Sequence, residues 1–260
     1  MKQKIPGFGV TAWAGLAFLY APIVILIVFS FNSSKLITVW EGFSTDWYRV
    51  ALHNDDLKRA TSNSLIVGLG AMFFSTLIAL PTALAMHGQR KKFPGQQLTR
   101  HLIVLPLLTP EMVIAIATLS FFTAIGLSLD IGNVLIAHIV FCIAFAYLPI
   151  RARLETIPPS LFEAAADLYA TGWQVFRHVT LPLLLPGIFS GAMLAFITSL
   201  DDFIITAMVA PPGAMTLPVY IYSMVRRGIT PEINAVSAIL LALSMLLVLA
   251  SYLINQKKPA

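Results

Sequence analysis

Residues 60–89 read ATSNSLIVGLGAMFFSTLIALPTALAMHGQ, thirty positions without one Asp, Glu, Lys or Arg. A helix needs roughly 20 apolar residues to cross a hydrocarbon core of about 30 Å, at about 1.5 Å per residue. The segment is therefore long enough to span a bilayer. Similar charge-free runs cover residues 5–34, 131–150, 178–200, 203–225 and 233–256, and residues 102–125 hold a single acid, Glu111. The run 203–225 is cut by Pro211-Pro212-Gly213 and by Pro218, so it reads as a helix end and a loop.

Six spans result, at about 10–31, 61–86, 102–125, 132–150, 183–208 and 233–254. Composition agrees: 58% of the chain is hydrophobic and 11% charged, against about 25% charged in soluble domains. The expected fold is an all-α integral membrane protein, a single transmembrane domain over residues 1–260. The first span is too long in its apolar part for a cleavable signal peptide, and no small-x-small site follows it.

Orientation follows from Lys and Arg. With the N-terminus inside, the inner segments hold 11 (Lys2, Lys4, Arg90, Lys91, Lys92, Arg100, Arg151, Arg153, Arg177, Lys257, Lys258) and the outer segments 6. Both termini are thus expected in the cytoplasm. The net charge of +5 is explained by this topology, not by a nucleic-acid surface. Cys142 lies inside a span, where a buried thiol is expected.

The chain lacks the Gly-x4-Gly-Lys-Ser/Thr phosphate loop, the His-Glu-x-x-His helix and the Gly-x-Ser-x-Gly elbow. Neither ATP hydrolysis by that route nor intramembrane proteolysis has visible machinery, so no catalytic residue, metal site or cofactor is assigned. His138 reads as a hydrogen-bonded packing residue or a polar pore residue.

The segment between the fourth and fifth spans, residues 151–182, reads RARLETIPPSLFEAAADLYATGWQVFRHVTLP. Pro158 and Pro159 end one helix and start another, with Ser160 a candidate N-cap. Residues 162–168 favour helix, Thr171-Gly172 suit a turn, and residues 173–179 form a second amphipathic segment ended by Pro182. Phe162, Ala164, Ala165, Trp173 and Phe176 place apolar side chains within reach of water, which suits a partner's groove.

This segment resembles the Glu-Ala-Ala coupling motif of permease subunits in ATP-binding-cassette importers. Glu163-Ala164-Ala165, Val179, Leu181 and Pro182 fall at the motif's spacings, with Asp167 and Gly172 between them. Tyr169 stands where the family has Gly, so either the turn shifts to Gly172 or position 169 needs no positive φ. The resemblance implies a cytoplasmic helix–turn–helix docked in a cleft of an ATPase subunit. It further implies two ATPase copies, a homologous second permease, and a periplasmic or extracellular substrate-binding protein, in a bacterial inner membrane.

The likeness runs along nearly the whole chain and is strongest to the second permease of spermidine/putrescine importers. It is carried by Ser30-Phe31-Asn32-Ser33-Ser34, Trp40-x-Gly42-Phe43-x3-Trp47-Tyr48, Ser199-Leu200-Asp201-Asp202, and residues 221–225 and 231–235. Opine, aminophosphonate and ferric-iron importers share the architecture, and a stand-alone cation channel or carrier is the reading from another class.

Independently, the spans hold Glu111, Asp201 and Asp202 with no Lys or Arg to pair with them. Acids at such depth cost roughly 2.5–3.5 kcal/mol on insertion scales and face polar interiors. They suit a path for a polycation, or else protonated and helix-capping groups. Adjacent helical residues diverge by about 100°, so one of Asp201 and Asp202 faces the path. Tyr222, Tyr147 and the Trp40/Trp47/Tyr48 group are candidates to stack on alkylammonium, the last group also suiting an interfacial belt.

Overall fold

The structure, a computed structural model, describes residues 8–36, 39–87, 94–228 and 231–256. Among them every regular element is helical, apart from one isolated bridge pairing Asn32 with Phe43. In chain order these are α1 (Phe8–Phe29), α2 (Asp46–His53), α3 (Asp55–Met86), α4 (Gln96–Leu108), α5 (Glu111–Ala124), α6 (Ile131–Glu155), α7 (Pro159–Asp167) and α8 (Gly172–Val175). A π-turn (Phe176–Thr180) follows, then α9 (Leu181–Asp201), α10 (Ile204–Val209), α11 (Leu217–Arg227) and α12 (Pro231–Gln256).

Four stretches are long and apolar enough to cross a membrane: Gly9–Phe29, Asp55–Met86, Ile131–Glu155 and Gly172–Asp201. A fifth arises if the bent pair α4 and α5 is one span. Of the basic residues used for orientation, Lys2, Lys4, Arg90, Lys91, Lys92, Lys257 and Lys258 lie outside the described residues.

Two expected spans are not single helices. Residues 102–125 bend by 112° between α4 and α5, because Pro106 and Pro110 lack N–H donors and Thr109 and Pro110 are extended. Residues 183–208 break after Asp201, where Asp202 takes an extended ψ of 126° before α10 begins.

The chain groups into two compact units, residues 1–58 with 221–260, and residues 59–220. In the first, the side chain of Asn32 holds the loop after α1, donating to the Val39 carbonyl at 2.7 Å and accepting from the Glu41 N–H at 3.1 Å. Phe31 stacks on Phe43, and Tyr48 shares a 2.6 Å hydrogen bond with Ser30. Asn54 donates to Glu232 at 2.7 Å.

The second unit is organised by α6 against α9. Along α9 the buried residues Gly187, Gly191, Ala195 and Ser199 recur every fourth position, a stripe on one helical face. Small residues allow backbones to approach closely, which drives helix association where lipid is as apolar as the side chains. A Cβ on Gly191 would collide with the Ala146 carbonyl, and one on Gly187 would lie 2.5 Å from the Arg153 Cβ and 3.1 Å from the Pro149 carbonyl oxygen. Farther along, the Cys142 thiol donates to the Ala195 carbonyl at 3.4 Å and His138 meets Ser199. Tyr147, Ile150, Leu154, Leu184 and Ile205 fill the core around this pair.

Candidate substrate path and coupling loop

The intramembrane acids sit at the two helix breaks. Glu111 opens α5 just after Pro110, and Asp202 occupies the gap between α9 and α10. α5 packs on α10, which brings Glu111 close enough to Asp202 and Asp201 for the three acids to act on one another electrostatically.

The two aspartates face opposite ways. Asp201 is exposed on the surface of the chain, whereas Asp202 is buried. Asp202 accepts from the N–H groups of Ile205 (3.2 Å) and Thr206 (3.0 Å) and from the Thr206 hydroxyl (3.0 Å), satisfying donors in the first turn of α10. Its Oδ2 also lies 3.1 Å from Nε2 of His138, a fully buried residue of α6. The other His138 nitrogen, Nδ1, is 2.7 Å from Ser199 Oγ.

The expectation of uncompensated acids therefore changes at Asp202. Its ion-pair partner among the described residues is an imidazole, and His138 is the hydrogen-bonded packing residue rather than an exposed pore residue. Tyr147 is also corrected: it is fully buried, its hydroxyl 3.6 Å from Met86 Sδ, and cannot stack on cargo. Tyr222 belongs to the first unit, is 48% exposed, and has the Arg226 guanidinium 5.9 Å from its ring centre.

The coupling segment forms the expected helix–turn–helix with altered joints. α7 begins with Pro159 in its first turn, so Ser160 is inside the helix and caps nothing. Phe162 and Ala165 turn toward the chain's own core, because positions three apart share a helix face. Glu163, Ala164 and Asp167 lie on the exposed side.

The turn stays at Tyr169, which adopts φ +54°. Tyr169 N–H donates to the Ala166 carbonyl at 2.9 Å and Ala170 N–H to the Ala165 carbonyl at 3.0 Å. This paired closure is the Schellman arrangement that normally uses Gly. Gly172 instead opens α8, capped by Thr171, whose hydroxyl accepts from Gln174 N–H while the Gln174 side chain accepts from Thr171 N–H.

Pro182 does not end the second segment. The π-turn leads into α9 without interruption, with Leu181 N–H donating to Phe176 five residues back. The wider turn accommodates a proline that an α-helical ladder would reject. Arg153 ties the rod to α6, its Nε donating to the Leu183 carbonyl at 2.8 Å. Val179 and Leu181 are half-buried and Pro182 is exposed.

A family model described as "Binding-protein-dependent transport system inner membrane component" matches residues 65–257. The chain belongs to that family. Among its relatives is the spermidine/putrescine transport system permease protein PotC of Escherichia coli K12, 39% identical over 93% of this chain and 91% of the relative. The putrescine transport system permease protein PotI of the same organism is 40% identical over 87% and 83%. A putative 2-aminoethylphosphonate permease, PhnV of Salmonella typhimurium, is more distant at 29% over 90% and 88%. The fold is shared with a bacterial importer of alginate, at TM-score 0.72 and 19% identity over 97% of this chain and 95% of that one. Membership places the chain among multi-pass transport components, as its apolar helices require.

The sequence reading missed the α9 small-residue stripe, which the spacing Gly187-x3-Gly191-x3-Ala195-x3-Ser199 announces. It also missed the capping box at Thr171-x2-Gln174.

Proposed function

We propose that this chain is the second transmembrane subunit of an ATP-driven polyamine importer in a bacterial inner membrane. It forms one permease domain of six spans over residues 1–260, with both termini cytoplasmic. A homologous permease completes the path, two ATPase copies dock below, and a periplasmic or extracellular receptor delivers spermidine or putrescine. The observation that carries the cargo is the identity of 39–40%, over most of both chains, to permeases named for spermidine and putrescine.

The intramembrane acids support the same reading. Glu111 and Asp201, with Asp202 behind them, place carboxyl oxygens at two helix breaks, an environment suited to amines spaced a few carbons apart. Tyr222 is a further candidate on the path. Glu163, Ala164 and Asp167, with Gly172, are the exposed contacts offered to the ATPase, while Ala165, Val179, Leu181 and Pro182 shape the segment that presents them.

The test is uptake of labelled spermidine by the complete transporter reconstituted in vesicles. ATP-dependent accumulation that needs the receptor is expected. A cognate receptor that binds an anion and ignores spermidine would overturn the cargo. Uptake by this chain alone without ATP would favour a channel or carrier.

A further inference from the structure

His138 lies outside the set of path residues, yet it is a buried polar residue whose contacts reach the acids at the α9–α10 break. It is fully buried, on a helix separate from all three acids, and both its ring nitrogens are engaged. Thr206 Oγ1 already gives its hydrogen to Asp202, so the 2.9 Å contact between that oxygen and His138 Nε2 requires Nε2 to donate. Nε2 also lies 3.1 Å from Asp202 Oδ2. Ser199 orients the ring from the other side.

Asp202 is thus held by three donors of α10 and by the imidazole beside it, and its carboxylate cannot turn outward without losing them. A buried carboxylate stays in a core only while it is paired and hydrogen-bonded. Asp201 is the next residue along the chain, the last of α9, and it is exposed. Anchoring Asp202 therefore sets the direction in which Asp201 projects.

We propose that His138 is a positioning residue: by locking Asp202 into the break between α9 and α10, it aims Asp201 at the cargo. Asp202 is an internal strut and not a cargo ligand. Glu111 on α5 and Asp201, both acidic, act electrostatically on the same site, and His138 is the imidazole partner that Asp202 has at ion-pair distance. The proposal rests on Asp201 facing the substrate path.

The test measures spermidine uptake by the complete transporter in vesicles, separating KM from kcat. His138→Ala is expected to raise KM about tenfold with kcat within about twofold. His138→Gln, whose amide N–H donates to the same oxygens, restores most of the wild-type KM. Asp201→Asn raises KM as well, and adding His138→Ala to it brings no further rise, since the histidine acts through Asp201.

A fall in kcat or in assembled protein with KM unchanged would make His138 merely structural. Multiplying effects in the double variant would overturn the proposal too. Should His138→Ala fail to assemble, Ser199→Ala loosens the ring from its far side and should raise KM two- to fourfold; an unchanged KM refutes the idea. Unaltered uptake in Asp201→Asn would remove the reading of the path, and this proposal with it. A raised KM in Asp201→Asn with none in His138→Ala removes only the proposal.

Discussion

Replacing Tyr169 with Gly should stabilise the coupling turn. Tyr169 holds φ +54° while its side chain is 94% exposed, so the substitution changes backbone strain and almost no burial. An L-residue in the left-handed region costs about 1–2 kcal/mol. Glycine relieves that strain but gives back about 0.5–1 kcal/mol through its freer unfolded chain. The net gain is about 0.5–1 kcal/mol, which slows local opening roughly two- to fivefold. Amide hydrogen exchange on the assembled transporter reads it at Leu168, Tyr169 and Ala170, whose N–H groups close the turn. Gly172→Ala is the control. Gly172 is helical and a methyl there meets nothing within 4 Å, so α8 should gain up to about 1 kcal/mol. Unchanged or faster exchange in Tyr169→Gly, together with a loosened turn in Gly172→Ala, would place the left-handed residue at Gly172 and refute the assignment.

Other outcomes test separate parts of the molecule. Glu163→Lys reverses charge on the exposed face of α7 and should abolish uptake while membrane levels stay normal; transport at wild-type rate would exclude docking through this face. Asp201→Asn should lower polyamine uptake at limiting substrate while ATP hydrolysis remains coupled to the permease, checked by measuring both in one vesicle preparation. Gly191→Val drives side-chain atoms into the Ala146 backbone and should destabilise the chain by about 3 kcal/mol or more, seen as a lower midpoint in detergent melting. Gly15→Val on α1, where a Cβ meets nothing within 4 Å, should leave that midpoint unchanged.

Much of the fold was legible because bilayer thickness imposes a length on every apolar run. The helices over residues 61–86 and 132–150 follow from charge spacing alone, and the break before Glu111 follows from two prolines. The break at Asp202 has no such signal. There the chain leaves the helix as the Asp202 side chain captures the next turn's N–H groups beside His138, which is distant in sequence. Pro182 misled for the opposite reason: it stops a helix by default, and only the wider turn before it allows continuation. At Tyr169 the local rule against positive φ lost to two closing hydrogen bonds. The candidate coupling residues come from motif spacing; which of them face outward depends on helical phase, and that puts Ala165 and Phe162 inside.

The uninterrupted path from Gly172 to Asp201 has a mechanical meaning. Trp173, exposed near one end, lies on the face proposed to meet the ATPase, and Asp201 closes the other end. Glycines 187 and 191 seat the rod on α6 between them, like a fulcrum. Fourteen residues separate Gly187 from Asp201, about 21 Å of helix at about 1.5 Å per residue. A tilt of about 10° at that seat would sweep the carboxylate through about 4 Å, the breadth of one alkylammonium group. Force applied in the cytoplasm would reach the cargo within a single secondary structure, with no relay of side chains between.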